Sequence, residues 1–131
     1  MAARSGHTLV QVEGGRELRK RLRTIEGGLA ELKAEHKWVA DYVFRRSAPA
    51  APRRTGRLAA SGRSSGTNTA SIVRYGGARV PYAAPIHYGW PARHIAPHEW
   101  VINAAQNSEP VWLAHFNDTI RQLVERTPGT S

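Results

Sequence analysis

Leu18, Leu22, Ile25, Leu29, Leu32, His36, Val39 and Val43 follow one another in alternating steps of four and three residues, and all but His36 are apolar. On an α-helix of about 3.6 residues per turn such positions fall on one continuous stripe. The pattern predicts a long amphipathic helix over about residues 16–46, lying on a sheet. Gly27-Gly28 interrupts it in composition, each glycine costing about 1 kcal/mol against alanine in a helix interior. The phase survives across the pair, so the expectation is one kinked helix rather than two. A histidine at a seam position and glycines in the middle would make a poor coiled coil. His36, with no partner at helical spacing, reads as a packed ring rather than a ligand.

Ahead of the helix, "HTLVQV" (residues 7–12) alternates apolar and polar with Leu9 out of phase, and it ends at Gly14-Gly15. This is a short strand and a turn. Behind the helix, Pro49 and Pro52 exclude a helix over residues 47–57 and predict an extended, polyproline-like path. "GRLAASGRSS", "TASIVRYGG" and "RVPYAAPIHYG" then read as a meander of three strands, the middle one being the clearest. Pro81 and Pro85 demote the third run to a sheet edge, where another subunit could add on. "WPARHIAPHEW" reads as a loop and Glu99 to Asn107 as a short helix. Ser108 caps a last helix with Pro110 in its first turn and a stripe of Leu113, Phe116, Ile120 and Leu123. "TPGTS" is a polar tail.

These elements predict an α+β fold: a small antiparallel β-sheet packed against a long N-terminal helix and C-terminal helices. At 131 residues one core is expected, so residues 1–131 form a single domain, with 47–65 as an extended basic arm and 127–131 as the tail. Four Trp, four Tyr and two Phe in a chain that is 40% hydrophobic mark a globular protein, not a disordered one. The absence of cysteine excludes disulfides, zinc–thiolate sites and a thiol nucleophile. Neither a signal-peptide stretch nor a membrane-length apolar run is present, so the expectation is a chain that begins in a cytoplasm and has no membrane partner.

Charge is distributed far from evenly. The formal net charge is +9, and all ten acids lie at or before Asp41 or at or after Glu99. Between Tyr42 and His98 stand nine arginines, at positions 45, 46, 53, 54, 57, 63, 74, 79 and 93, and no acid. Such a block suits a polyanion or an acidic partner surface, with Arg45, Arg46, Arg53, Arg54, Arg57 and Arg63 as the candidate contacts to DNA or to a channel lumen. Enzyme chemistry finds little support. Pro97 breaks any helical pairing of His94 and His98, so His87, His94 and His98 do not form a metal motif. Ser61, Ser64 and Ser65 lack a nucleophile elbow, and no phosphate-binding glycine loop opens a helix. No catalytic residue, metal or cofactor is expected. Tyr75, Tyr82, Tyr88 and Trp90 interleave with Arg74, Arg79 and Arg93, as in a protein interface or a single-strand nucleic-acid platform. Tyr and Arg enrichment at interfaces favours the former, and a basic nucleic-acid-binding module stays as the alternative.

The order of these features resembles the small head-tail connection and tail-completion (neck) proteins of long-tailed bacteriophages. Pro52, Thr55, Gly56, Leu58 and Ser61 match that family's proline, Thr-Gly, leucine and serine spacing position by position. Tyr82, Tyr88 and Gly89 match a second element, where His87 replaces a usual acid and removes any salt bridge made there. Pro97 and Trp100 are looser counterparts of a third. The likeness spans roughly residues 8–125. It implies a non-enzymatic structural virion protein, resident in the neck or tail and in the host cytoplasm during assembly. It further implies a homo-oligomeric ring of six copies bridging the connector and the tail-terminator or tail-tube proteins. The proline-stiffened motif itself suits an assembly arm that clasps neighbours, with its arginines facing either an acidic partner or, in sequence-independent contact, the viral DNA.

Overall fold

The computed structural model describes residues 7–13, 16–25, 27–52, 56–77 and 80–126. Strand β1 (His7–Glu13) leads into helices α1 (Arg16–Leu22) and α2 (Gly28–Ser47). Then come helix α3 (Arg57–Ala60), strands β2 (Arg63–Gly66) and β3 (Ala70–Tyr75), helix α4 (Ala83–Tyr88) and helix α5 (Trp100–Glu125). The fold is α+β, with an antiparallel three-stranded sheet in the order β1-β3-β2 packed against α2, and α2 packed in turn against α5.

The stripe read from the sequence is the inner face of α2: Leu32, His36, Val39 and Val43 are buried. Glu31 in the first turn and Arg45 and Arg46 in the last suit the helix dipole. The single kinked helix is corrected to two. Gly27 takes φ 78°, a left-handed conformation that stops helical propagation, and residues 23–25 have already left the helix in a turn. The phase is kept because Leu22 and Leu32, on either side of the turn, pack with Leu123 of α5 in one small cluster.

β3 lies at the centre of the sheet. Its alternate residues Ser71, Val73 and Tyr75 engage α2: Ser71 Oγ donates to the His36 carbonyl at 2.7 Å, Val73 joins Val39 and Val43 in the main core, and the Tyr75 hydroxyl meets Ser47 Oγ at 2.8 Å. The β1–β3 register shifts between Thr8 and Val10, a bulge at the out-of-phase Leu9. β2 runs so close to α2 that a Cβ on Gly66 would lie 2.2 Å from the Lys37 backbone nitrogen. Gly66→Ala must therefore push β2 off the helix, and a loss of about 1–3 kcal/mol is expected in chemical denaturation. An unchanged midpoint would show that the contact is slack.

Three expectations for the middle of the chain are corrected. The described residues of 47–65 are not an extended arm but fold back on their own subunit. Ala48–Ala50 add a 3₁₀ turn to α2, Ala51 and Leu58 enter the core, and residues 57–60 are helical. Pro49 is tolerated because it sits in the first turn of the 3₁₀ segment, where its missing N–H has no partner to lose. The run at 80–89, read as an edge strand, contains α4, since Pro85 lies in the first turn of that helix. The sheet is consequently no meander of consecutive strands: its third member is the N-terminal β1, and its edges are β1 and β2.

At the C-terminal end the two expected helices are one. A proline in mid-helix removes a donor and crowds the preceding turn. Here α5 nevertheless runs through Pro110, and on its inner side Ser108 Oγ donates to the Ala104 carbonyl at 2.7 Å and Trp112 Nε1 to the Ala105 carbonyl at 2.9 Å. Ser108 is thus a buried internal residue, not a cap. The inner face of α5 is Val101, Ala105, Ser108, Trp112 and Leu123, with Phe116 and Ile120 partly covered, while Leu113 is turned outward. Two helix-to-helix clamps complete the packing: buried Glu35 accepts from His115 Nδ1 at 2.7 Å and Thr119 Oγ1 at 2.9 Å, and Arg126 pairs with Glu31. Among the described residues no helix is long and apolar enough to cross a membrane.

Candidate functional site: an apolar groove with a basic rim

Two stretches that are far apart in sequence meet at one surface groove of about 780 Å³. Pro52, Arg57 and Leu58 line it together with Tyr82, Ile86, Trp90 and Ile95. Gly56, at φ 81°, sets the N-terminus of α3 and so directs Leu58 inward, where it is 3% exposed. Ser61 Oγ donates to the Leu58 carbonyl at 2.6 Å and accepts from the Gly76 N–H at 2.9 Å, tying the end of α3 to the end of β3. A backbone bridge between Trp90 and Ile95 closes a hairpin-like loop around the 3₁₀ turn Pro91–Arg93.

Two of the lining residues are large side chains left open to solvent, Tyr82 at 38% exposed and Trp90 at 42%, and Tyr88 at the end of α4 is 47% exposed. Arg93 lies over the Trp90 ring at 4.9 Å from its centroid, a cation–π contact that holds a positive charge beside that lining residue. Every lining residue comes from the acid-free segment between Tyr42 and His98. The lining is therefore mainly apolar, with Arg57 as its one charged group.

Beneath α4 the packing is aromatic. Trp100, 1% exposed, meets Tyr75 edge-on at 5.4 Å and His87 at 4.8 Å. His87 is fully buried, and neither ring nitrogen has a hydrogen-bond partner among the described residues. Burial, helped by the nearby His98, pushes its pKa down to about 4. The residue expected at a strand end in place of an acid is instead a neutral core ring at the end of α4, where a carboxylate would be costly to bury. Burial also lowers the pKa of His36, which is packed against Phe116 and bonded through Nδ1 to the Thr67 carbonyl at 2.7 Å.

The predicted site residues divide as follows. Pro52, Leu58 and Tyr82 line the groove, Gly56 and Ser61 fix the ends of α3, and Tyr88 stands exposed at the end of α4, outside the lining. Gly89 packs on Pro97, with the proline ring 3.0 Å from where a Cβ would be, and Trp100 supports α4 from the core. Thr55, Arg53 and Arg54 lie outside the described residues. The arginines do not form one free cluster. Arg46 donates to the Tyr42 hydroxyl at 2.9 Å and lies over that ring, and Arg63 donates to the carbonyls of Ser61 and Gly76 at 3.2 Å. Arg45 is exposed at the end of α2. Pro81, Pro85, Ile86 and Ile95 join the groove, although nothing in the sequence marked them as site residues. Their only local signal was the proline pair, which pointed to an edge strand instead. Among the described residues no three His, Asp or Glu side chains converge in a metal-binding group.

Comparison with protein-family models, curated proteins and solved structures gives no match.

Proposed function

We propose that this chain is a structural subunit of a tailed-phage neck, a ring-forming protein of the head-tail junction or tail-completion site. One observation carries the reading: Pro52, Leu58 and Tyr82, which match two elements of the head-tail family by spacing, line one apolar groove together with Trp90, and Tyr82 and Trp90 stand open to solvent. Surface apolar patches rimmed by charge are the usual marks of a protein contact. In a ring of six copies this face would meet a neighbouring subunit or an adjacent connector or tail protein. The basic block would then face an acidic neighbour or the viral DNA.

The fold of the described residues of 47–65 onto their own subunit changes how assembly would work. Copies would join through a rigid groove rather than by exchange of an extended arm. The alternative, a nucleic-acid module, is less favoured because Arg46, Arg63 and Arg93 are engaged by groups of their own chain and Leu58 faces the core. A DNA-binding titration at several salt concentrations separates the readings. A shift that is uniform across sequences and weakened by Arg53→Ala, Arg54→Ala and Arg57→Ala would support the module.

The direct test of the ring reading is sedimentation and negative-stain microscopy of the purified chain, alone and with its connector and tail partners. A monomer or weak oligomer that forms rings on mixing, or at high concentration, is expected. A stable discrete dimer indifferent to those partners would contradict it. Tyr82→Ala with Trp90→Ala is expected to abolish ring formation while leaving stability within about 0.5 kcal/mol, because both side chains are exposed. Thermal melts run beside the microscopy check this.

A further inference from the structure

We infer that the groove receives residues 109–113 of α5 from the neighbouring copy, so that copies join head to tail. This contact rests on the ring reading and supplies the interface it needs.

The large exposed hydrophobics of the described residues fall into two groups. Tyr82, Tyr88 and Trp90 lie in one segment, Tyr82 and Trp90 lining the groove, and Val111 and Leu113 stand on α5 on either side of buried Trp112. No groove-lining residue belongs to α5, so the two patches are separate surfaces of one molecule. On α5 the steps of one, three and four residues place Glu109, Pro110 and Leu113 along one outward flank. That flank offers compact apolar groups beside a carboxylate, the counterpart of an apolar hollow beside guanidinium groups.

Charge supports the pairing and selects its symmetry. In a chain of net charge +9, α5 holds three acids against one arginine, and Glu109 has no ionic partner among the described residues. Arg57 is among the groove's lining residues, none of which is an acid, and Arg93 lies over the lining residue Trp90. A two-fold contact of groove with groove would set arginines against arginines, and one of α5 with α5 would set Glu109 against Glu109. Like-charge juxtaposition disfavours both. Only the unlike pairing brings opposite charges together. It uses different surfaces on the two copies, and repetition of such a contact closes into a ring when its rotation permits.

The chain has no cysteine, so single cysteines report contacts without background. Pro81→Cys and Leu113→Cys variants are mixed under mild oxidation at a concentration where the unmodified chain associates, alone or with its connector and tail partners; Pro81 is an exposed lining residue of the groove. The mixed disulfide between positions 81 and 113 is expected to exceed either homodimer several-fold. Glu109→Arg is expected to weaken association about tenfold, and Arg93→Glu added to the same chain to restore it in part. Homodimers matching the mixed species, or association indifferent to Glu109→Arg, overturn this contact and leave the ring reading standing. Absence of association under every condition overturns both.

Discussion

Trp100→Ala is expected to remove about 3–5 kcal/mol of stability, the cost of emptying a fully buried indole site. The side chain is 1% exposed and sits where four parts of the chain meet: Tyr75 of β3, His87 of α4, the His98 turn and the start of α5. Its removal would leave a cavity that cannot collapse, because Tyr75 is held from the far side by Ser47. Since α4 rests on this ring, the groove lining at Tyr82 and Ile86 should loosen with it. The variant should therefore lose ring formation as well as stability, unlike Tyr82→Ala with Trp90→Ala, which should lose only the first. Urea titration checks the magnitude, and a loss under 1 kcal/mol would show that α4 is supported elsewhere.

Acid should weaken the fold through His87. Its pKa falls from 6.5 to about 4 on folding because burial opposes the charged ring. Above about pH 6.5 the imidazole is neutral in both the folded and the unfolded chain, and the full stability is present. As the pH falls from 6.5 towards 4 the unfolded chain takes up a proton that folded His87 refuses, so stability drains away. A depression of this size corresponds to about 3 kcal/mol, lost across that window. His36, shifted in the same direction, adds to the slope. Denaturation midpoints measured from pH 7.5 to 4 should fall steadily, and His87→Leu should flatten most of the decline. An identical slope in the variant would place the titrating group elsewhere.

What the sequence made legible was mostly local. The four-three stripe is the buried face of α2, and the single out-of-phase residue of the first strand, Leu9, is the site of a real bulge. The segments misread were those where tertiary contacts overrule local preference. Pro85 looked like a strand defect because nothing nearby shows that Tyr82 begins a helical turn. Segment 47–65 looked extended because the burial of Ala51 and Leu58, and the Ser61 bond to Gly76, depend on residues far along the chain. Pro110 looked like a helix start because a proline favours the first turn, whereas here the burial of Val101, Ala105, Ser108 and Trp112 along one face keeps α5 continuous through it. The groove was visible only as scattered motif residues. Their spacing pointed to a family pattern, while their convergence needed α3 and α4 to be helices.

Whether the groove is an assembly surface between copies of a phage neck subunit can be decided by a cryo-microscopy map of purified virions in which this chain is located. A ring of copies at the head-tail junction is expected, with Pro52, Tyr82, Trp90 and Ile95 of each copy covered by its neighbour. A map in which that groove opens to solvent, or particles from which the chain is missing, would contradict the proposal.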